Sequence, residues 1–335
     1  MLRGFIQAMK IKVLSVMLSA VLLFGMLSGC GKAEYKDSGK VSVVATVFPQ
    51  YDFARQIAGD RAEITLLLKP GMEAHSYEPT PKDIIRISHC DLFLNVGGES
   101  ESWLDSVFAS AENKNMKIVS AMDCVSGIAE EHSDGMTEKG HTHEHDEDGH
   151  EGHEHDEEEM EYDEHVWTSP VNAISIVSEI LCALCEVDPI NAEYYTANAN
   201  EYIAQLTVLD SEIRDIISNS ARSTLIFGDR FPLLYFVKEY GLNYYAAFPG
   251  CASETEPSAA TVAFLIDKVR QESIPVIFYI ELSNHKVADA IAECTGTKVL
   301  QFNTCHNITA DDFEAGETYL SLMTANLRVL KEALN

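Results

Sequence analysis

Positive charge is what this chain has least of. Against 53 Asp and Glu stand 24 Lys and Arg, a formal net charge of −29 over 335 residues. Such a field repels phosphate backbones, so nucleic acid is excluded as a partner and a cation is favoured as a ligand. Much of the excess lies between positions 130 and 164. A His-Glu-x-x-His helix is missing, and so is a nucleophile elbow; with them go the usual marks of a zinc protease or a serine hydrolase. No short-period repeat occurs, which sets aside solenoids and propellers. Hydrophobic residues make up 46%, enough for ordinary globular cores, and the length suits two lobes.

Long apolar runs are also scarce. Residues 13–27 form one, too short for a comfortable span, with Arg3, Lys10 and Lys12 before it and Leu27-Ser28-Gly29-Cys30 at its end. This ending resembles the bacterial lipoprotein signal, so residues 1–30 are expected to be a signal peptide and Cys30 the lipidated residue that anchors the chain outside the cytoplasm. An ordinary secreted protein and an uncleaved anchor are the alternatives. Residues 31–40 read as a polar tether. Export opens the other seven cysteines, Cys90, Cys124, Cys182, Cys185, Cys251, Cys294 and Cys305, to oxidation. Cys182-Ala-Leu-Cys185 falls in an apolar helical pattern and is expected to be buried thiol rather than zinc ligand.

Histidine, by contrast, is concentrated. Six of the twelve, His141, His143, His145, His150, His153 and His155, fall in one acidic tract. With no apolar periodicity the tract cannot bury surface to offset its ordering, and residues 129–162 are expected to be a disordered loop. Imidazoles among carboxylates suit Zn²⁺ and its neighbours, so the loop is an expected auxiliary metal gatherer, with a solvated acidic linker as the bland alternative.

The rest alternates strand and helix. Val-rich runs at 41–47, 64–69, 92–96 and 117–119 are expected to be strands, with helices between them and a capped helix beginning at Ser169-Pro170. Residues 190–218 carry no Gly or Pro, and Ile203, Leu206, Leu209, Ile213 and Ile216 step by three and four, which marks one long buried helix. Strands at 224–227, 243–248, 276–280 and 298–302 then repeat the alternation, ending in a helix over 311–333. The fold expected is α/β: two lobes, 41–187 and 221–335, each a roughly four-stranded parallel sheet flanked by helices, joined by a linking helix at 188–220.

Ligands of open parallel sheets bind beyond the carboxyl ends of the strands. His75, Asp229, Glu281 and His306 each follow a strand, and His165 arrives from the His-rich loop beside Trp167. A metal site between the lobes is therefore expected from His75, His165, His306 and Asp229, with Glu281 as a further possible ligand. His89 and His285 read as helix-surface or core residues.

These residues carry a resemblance. His75-Ser-Tyr-Glu-Pro-Thr-Pro-Lys-Asp83, the His-rich loop and Asp163-Glu-His-Val-Trp-Thr-Ser-Pro170 look like the metal-specific solute-binding proteins of bacterial zinc and manganese ABC transporters. The resemblance runs from about Val41 to the C-terminus. It implies two lobes joined by one helix, one metal ion in the cleft, His75 and His165 as ligands, and delivery to an ABC permease in the membrane. The His-rich loop points to the zinc branch, with Mn²⁺ as the alternative cargo. Where relatives place a third ligand, this chain reads Phe227-Gly-Asp-Arg-Phe-Pro232, and where they place an Asp it has Asn303; Asp229 and His306 are the substitutes. Cys251 and Cys305 both follow C-lobe strands and are expected to form a disulfide.

The function expected is a lipid-anchored, monomeric, non-enzymatic receptor for zinc. Because imidazoles ligate only when neutral, capture is expected to weaken below about pH 6. The rivals are a zinc-storing surface adhesin and, more remotely, an exported zinc hydrolase with Glu281 as its base.

Overall fold

The computed structural model describes residues 39–73, 77–136, 161–250 and 256–335. Cys30, His75, Cys251 and the six histidines of the acidic tract therefore lie outside the described residues.

Two four-stranded sheets organise the chain, and every strand pairing in them is parallel. The first holds β1 (Val41–Ala45), β2 (Ala62–Leu66), β3 (Leu92–Asn95) and β4 (Lys117–Ser120) in the order β2-β1-β3-β4. The second holds β5 (Thr224–Phe231), β6 (Asn243–Pro249), β7 (Val276–Ile280) and β8 (Lys298–Phe302) in the order β6-β5-β7-β8. The strand order reverses between β1 and β3 and again between β5 and β7, the two places where a parallel sheet opens a crevice for a ligand.

Helices α1 (Phe48–Ala58), α2 (Pro81–His89), α3 (Leu104–Ser110) and α4 (Pro170–Val187) accompany the first sheet. Thr80 caps α2 through a reciprocal bond with Asp83, and Ser169 caps α4 ahead of Pro170. A side-chain oxygen that satisfies an orphan amide, followed by a proline that has none to satisfy, is what starts each helix there. The linking helix α5 (Ala192–Ser218) has 27 residues, about 40 Å of rod. Its fully covered stripe is Tyr195, Ala199, Tyr202, Leu206, Leu209 and Ile213, so burial begins two turns earlier than the apolar pattern alone suggests. α6 (Leu234–Tyr240), α7 (Ala259–Glu272), α8 (Lys286–Thr295), α9 (Ala310–Ala315) and α10 (Tyr319–Leu334) complete the described helices.

One apolar cluster runs continuously from Val43 and Phe53 through Tyr195 and Leu206 of α5 to Phe227, Phe302 and Leu330. The lobes therefore share a core instead of meeting across a wet interface, and a wide hinge motion would expose it.

Three expectations need correction. The single terminal helix is two, because Gly316 adopts φ 81 and ends α9; a left-handed residue stops a helix. β5 extends to Phe231, four residues past its expected end, through a register shift between Phe227 and Arg230. β2 starts and finishes earlier than the hydrophobic run, its side chains being only partly covered at Ile64 to Leu66.

Candidate metal centre

His165 is presented by its own neighbours. The backbone N–H of His165 donates to Asp163 Oδ1 at 2.8 Å, and ring Nδ1 lies 3.2 Å from the same oxygen. A carboxylate on Nδ1 fixes the tautomer and turns ligation over to Nε2. The C=O of His165 accepts from the N–H and hydroxyl of Thr168, closing a one-turn 3₁₀ helix over Val166–Thr168. Asp163 is itself held by the other lobe: Tyr235 of α6 donates to Asp163 O at 3.0 Å while accepting from Ile128 N–H. His165 is completely buried. Gly250, at the end of β6, lies so close that a Cβ there would stand 3.4 Å from His165 Cε1 and 3.1 Å from Phe231 O.

His306 arrives from the opposite sheet, on the loop after β8. Glu281, just beyond β7, organises that loop: its carboxylate accepts from Thr304 N–H at 2.7 Å, Thr304 Oγ1 at 2.6 Å and His306 N–H at 3.1 Å. Burial pushes the Glu281 carboxyl upward, only partly offset by those bonds. Cys305, between the two, takes φ 60. Trp167 Nε1 donates to Thr304 O at 3.0 Å, so the His165 segment and the His306 loop are directly fastened.

The result is an imidazole pair. The rings of His165 and His306 stand 4.9 Å apart between centroids at 83°, with Trp167 5.1 Å from His306 and 5.6 Å from His165. The indole walls the pair and excludes water from one side. His306 also lines two small cavities, one with Met72, Glu73, Arg230 and Pro232, the other with Thr46, Tyr77, Glu101 and Trp103. Two neutral imidazoles with carboxylates nearby are the donor set that borderline divalent ions such as Zn²⁺ take.

Asp229 is hydrogen-bonded within its own sheet. It occupies the register shift of β5, where Oδ1 accepts from Arg230 N–H at 2.8 Å and Oδ2 from Ile280 N–H at 3.2 Å. Its carboxylate ties the irregular part of β5 to the end of β7 at Ile280. Glu281 is likewise occupied by the loop it braces, which also argues against its use as a general base. Among the described residues no three His, Cys, Asp or Glu side chains gather as a metal cluster, and both acids are engaged by the hydrogen bonds just given.

Of the expected Cys251–Cys305 disulfide only Cys305 lies among the described residues. Cys305 is a buried free thiol, and burial among Glu281 and Asp52 drives its pKa well up. His89 sits on the surface of α2, paired with Glu112, and His285 is the exposed residue just before α8, paired with Asp289. Of the Cys182–Cys185 pair, Cys182 is exposed and Cys185 half-buried, so the buried-thiol expectation holds for neither in full.

Sequence reasoning overlooked four residues of this site. Asp163 was legible, standing two positions before His165 in the same motif. Glu101, a buried acid whose carboxylate accepts from Val96 and Gly97 N–H at 2.8 and 3.0 Å, had no signal, and burial raises its carboxyl too. Thr304 and Asn307 act through contacts formed only on folding.

Comparison with known proteins bears on all of this. The family described as ZnuA, zinc-uptake complex component A, periplasmic, matches residues 43–333. The high-affinity zinc uptake system protein ZnuA of Bacillus subtilis is 34% identical over 324 residues, covering 93% of this chain and 94% of that protein. The zinc-binding lipoprotein AdcA of Streptococcus pneumoniae is 32% identical over 324 residues, covering 96% of this chain; the match spans 61% of AdcA's length. Among solved structures, the Zn(II)-bound ZnuA-like domain of S. pneumoniae AdcA aligns with a TM-score of 0.68 at 29% identity, covering 88% of this chain and 99% of that one. The metal-dependent lipoprotein YcdH of B. subtilis aligns with a TM-score of 0.70 at 32% identity and the same coverage.

Proposed function

This chain belongs to the zinc-uptake complex component A family, and from that premise we propose that it captures Zn²⁺ outside the cytoplasm and delivers it to the permease of an ABC importer. Zinc is the cargo, held and released unchanged, and no bond of any substrate is made or broken. Support comes from one observation above the rest: imidazoles carried by opposite sheets, His165 and His306, stand 4.9 Å apart. We assign them, with His75, as the capturing ligands; imidazole nitrogens are ordinary donors to Zn²⁺, an ion without redox chemistry of its own.

Three further elements belong to this proposal. Lipid on Cys30 anchors the chain at the outer face of the membrane, residues 31–40 act as tether, and the six histidines between His141 and His155 raise the local metal concentration through weak, exchangeable contacts. The AdcA relative is named a zinc-binding lipoprotein, which supports the anchor. The shared core limits hinge motion, so release proceeds through the ligand loops.

Native mass spectrometry of the soluble form, with and without residues 130–162, tests the reading. One zinc retained tightly after the deletion is the expected result. Loss of all tight binding would move the function into the loop.

A further inference from the structure

Asn307 stands one residue beyond His306 and is 3% exposed. Its Nδ2 donates across to the first lobe twice, to Lys69 O at 2.9 Å and to Met72 O at 2.7 Å, while Oδ1 accepts from Ile308 N–H at 2.8 Å. Beside it Gly71 N–H donates to Ile308 O at 2.8 Å. The orientation of the amide follows from the network, since a flip would set its oxygen against two carbonyl oxygens. A second tie reaches the same segment: Arg230 forms a fork with Glu73 at 2.9 and 3.2 Å.

None of these bonds belongs to either sheet. Those of Asn307 and Gly71 fix one loop against another, Arg230 ties the end of β5 to the same segment, and Met72 and Glu73, at the fastened end, wall the same small cavity as His306. We propose that Asn307 is a positioning residue for metal capture: it holds residues 69–73 against the His306 loop, building the spacing of the site into the fold. The Arg230–Glu73 pair fastens the same segment from the rim. This rests on the capture reading above. A site whose parts are already placed spends little free energy on ordering them when the ion binds; groups that orient a ligand directly are worth roughly 10–100-fold in metal affinity, and an effect of that order is expected where a whole ligand loop is placed.

The test is Asn307→Asp in the full chain. The substitution keeps the shape and the acceptor for Ile308 N–H but turns a carboxylate oxygen toward two carbonyls. Zinc release is followed by chelator competition, and the coordination geometry by the visible absorption of bound Co²⁺. The expected result is zinc release about 10–100-fold faster with an altered Co²⁺ spectrum, in a chain that remains folded by circular dichroism. Asn198→Asp, which disturbs a bond to Ile57 O at the long helix, serves as a control: it lowers stability and leaves release unchanged. Release within twofold of the parent in folded N307D, or equal acceleration in N198D, would overturn the proposal while leaving zinc capture standing. If N307D does not fold, Arg230→Gln carries the test, and an unchanged release rate there overturns it. A parent chain that takes up neither Zn²⁺ nor Co²⁺ would overturn the capture reading and this one together.

Discussion

The two lobes use one strand order and yet present their histidines by different means. In the first, the partner of the His165 ring is Asp163, two positions earlier, in the segment that leads into α4. In the second, His306 is placed by its backbone, through a carboxylate 25 residues away just beyond the neighbouring strand. A local device appears as a motif; a device assembled across strands leaves scattered residues with nothing to mark them. The same contrast explains Asp229, which follows a strand as a ligand should but serves the bulge beneath it.

Removing either ring is the most severe way to break the comparison. His165→Ala and His306→Ala should each weaken zinc binding by more than the roughly 10–100-fold typical of an outer partner, measured by competition with a chromogenic chelator. Equal losses would show that the two presentations, one local and one long-range, end in equivalent ligands.

Asp163→Ala removes only the device behind His165. The expected loss is about 10–100-fold in affinity, with the imidazole ¹⁵N shifts reporting a changed tautomer. Asp229→Ala should separate the halves in the opposite sense: two backbone N–H groups lose their acceptor, at about 1–3 kcal/mol each, seen in urea unfolding, while zinc affinity stays within twofold.

The smallest effect is a slope. Burial raises the Glu281 carboxyl above its ordinary range, so the stability it contributes is complete below its unfolded pKa and is lost as pH rises through the higher folded value. Glu281→Gln has no such titration. Whatever constant offset the lost hydrogen bonds introduce, the parent should lose stability relative to E281Q as pH rises from the ordinary carboxylate range toward neutrality. Parallel profiles would contradict the burial argument.

Much of the fold is legible because its signals are repeated. Val-rich strands, the uninterrupted stripe of α5 and the cap-plus-proline starts at Thr80-Pro81 and Ser169-Pro170 each follow from residues within one element. Fold class and family follow from them and from the Asp163–Pro170 motif. The rest depends on pairing. Whether β5 stops at Phe227 or bulges on to Phe231 is decided by β6 and β7, and whether Glu281 ligates or braces is decided by where Thr304 lies after folding. Asn307 reads as an ordinary loop residue until its two carbonyl partners, more than 230 positions earlier, are brought to it. The split at Gly316, like Asp163, had a local signal, here a glycine capable of left-handed φ inside an otherwise helical pattern.

The central claim is that one zinc ion is shared by imidazoles from the two sheets. X-ray absorption at the zinc edge, on the loaded chain and on His306→Ala, tests it most directly. The account predicts imidazole nitrogens at about 2.0–2.1 Å from zinc, one fewer in the variant. An unchanged first shell in the His306→Ala chain would contradict it.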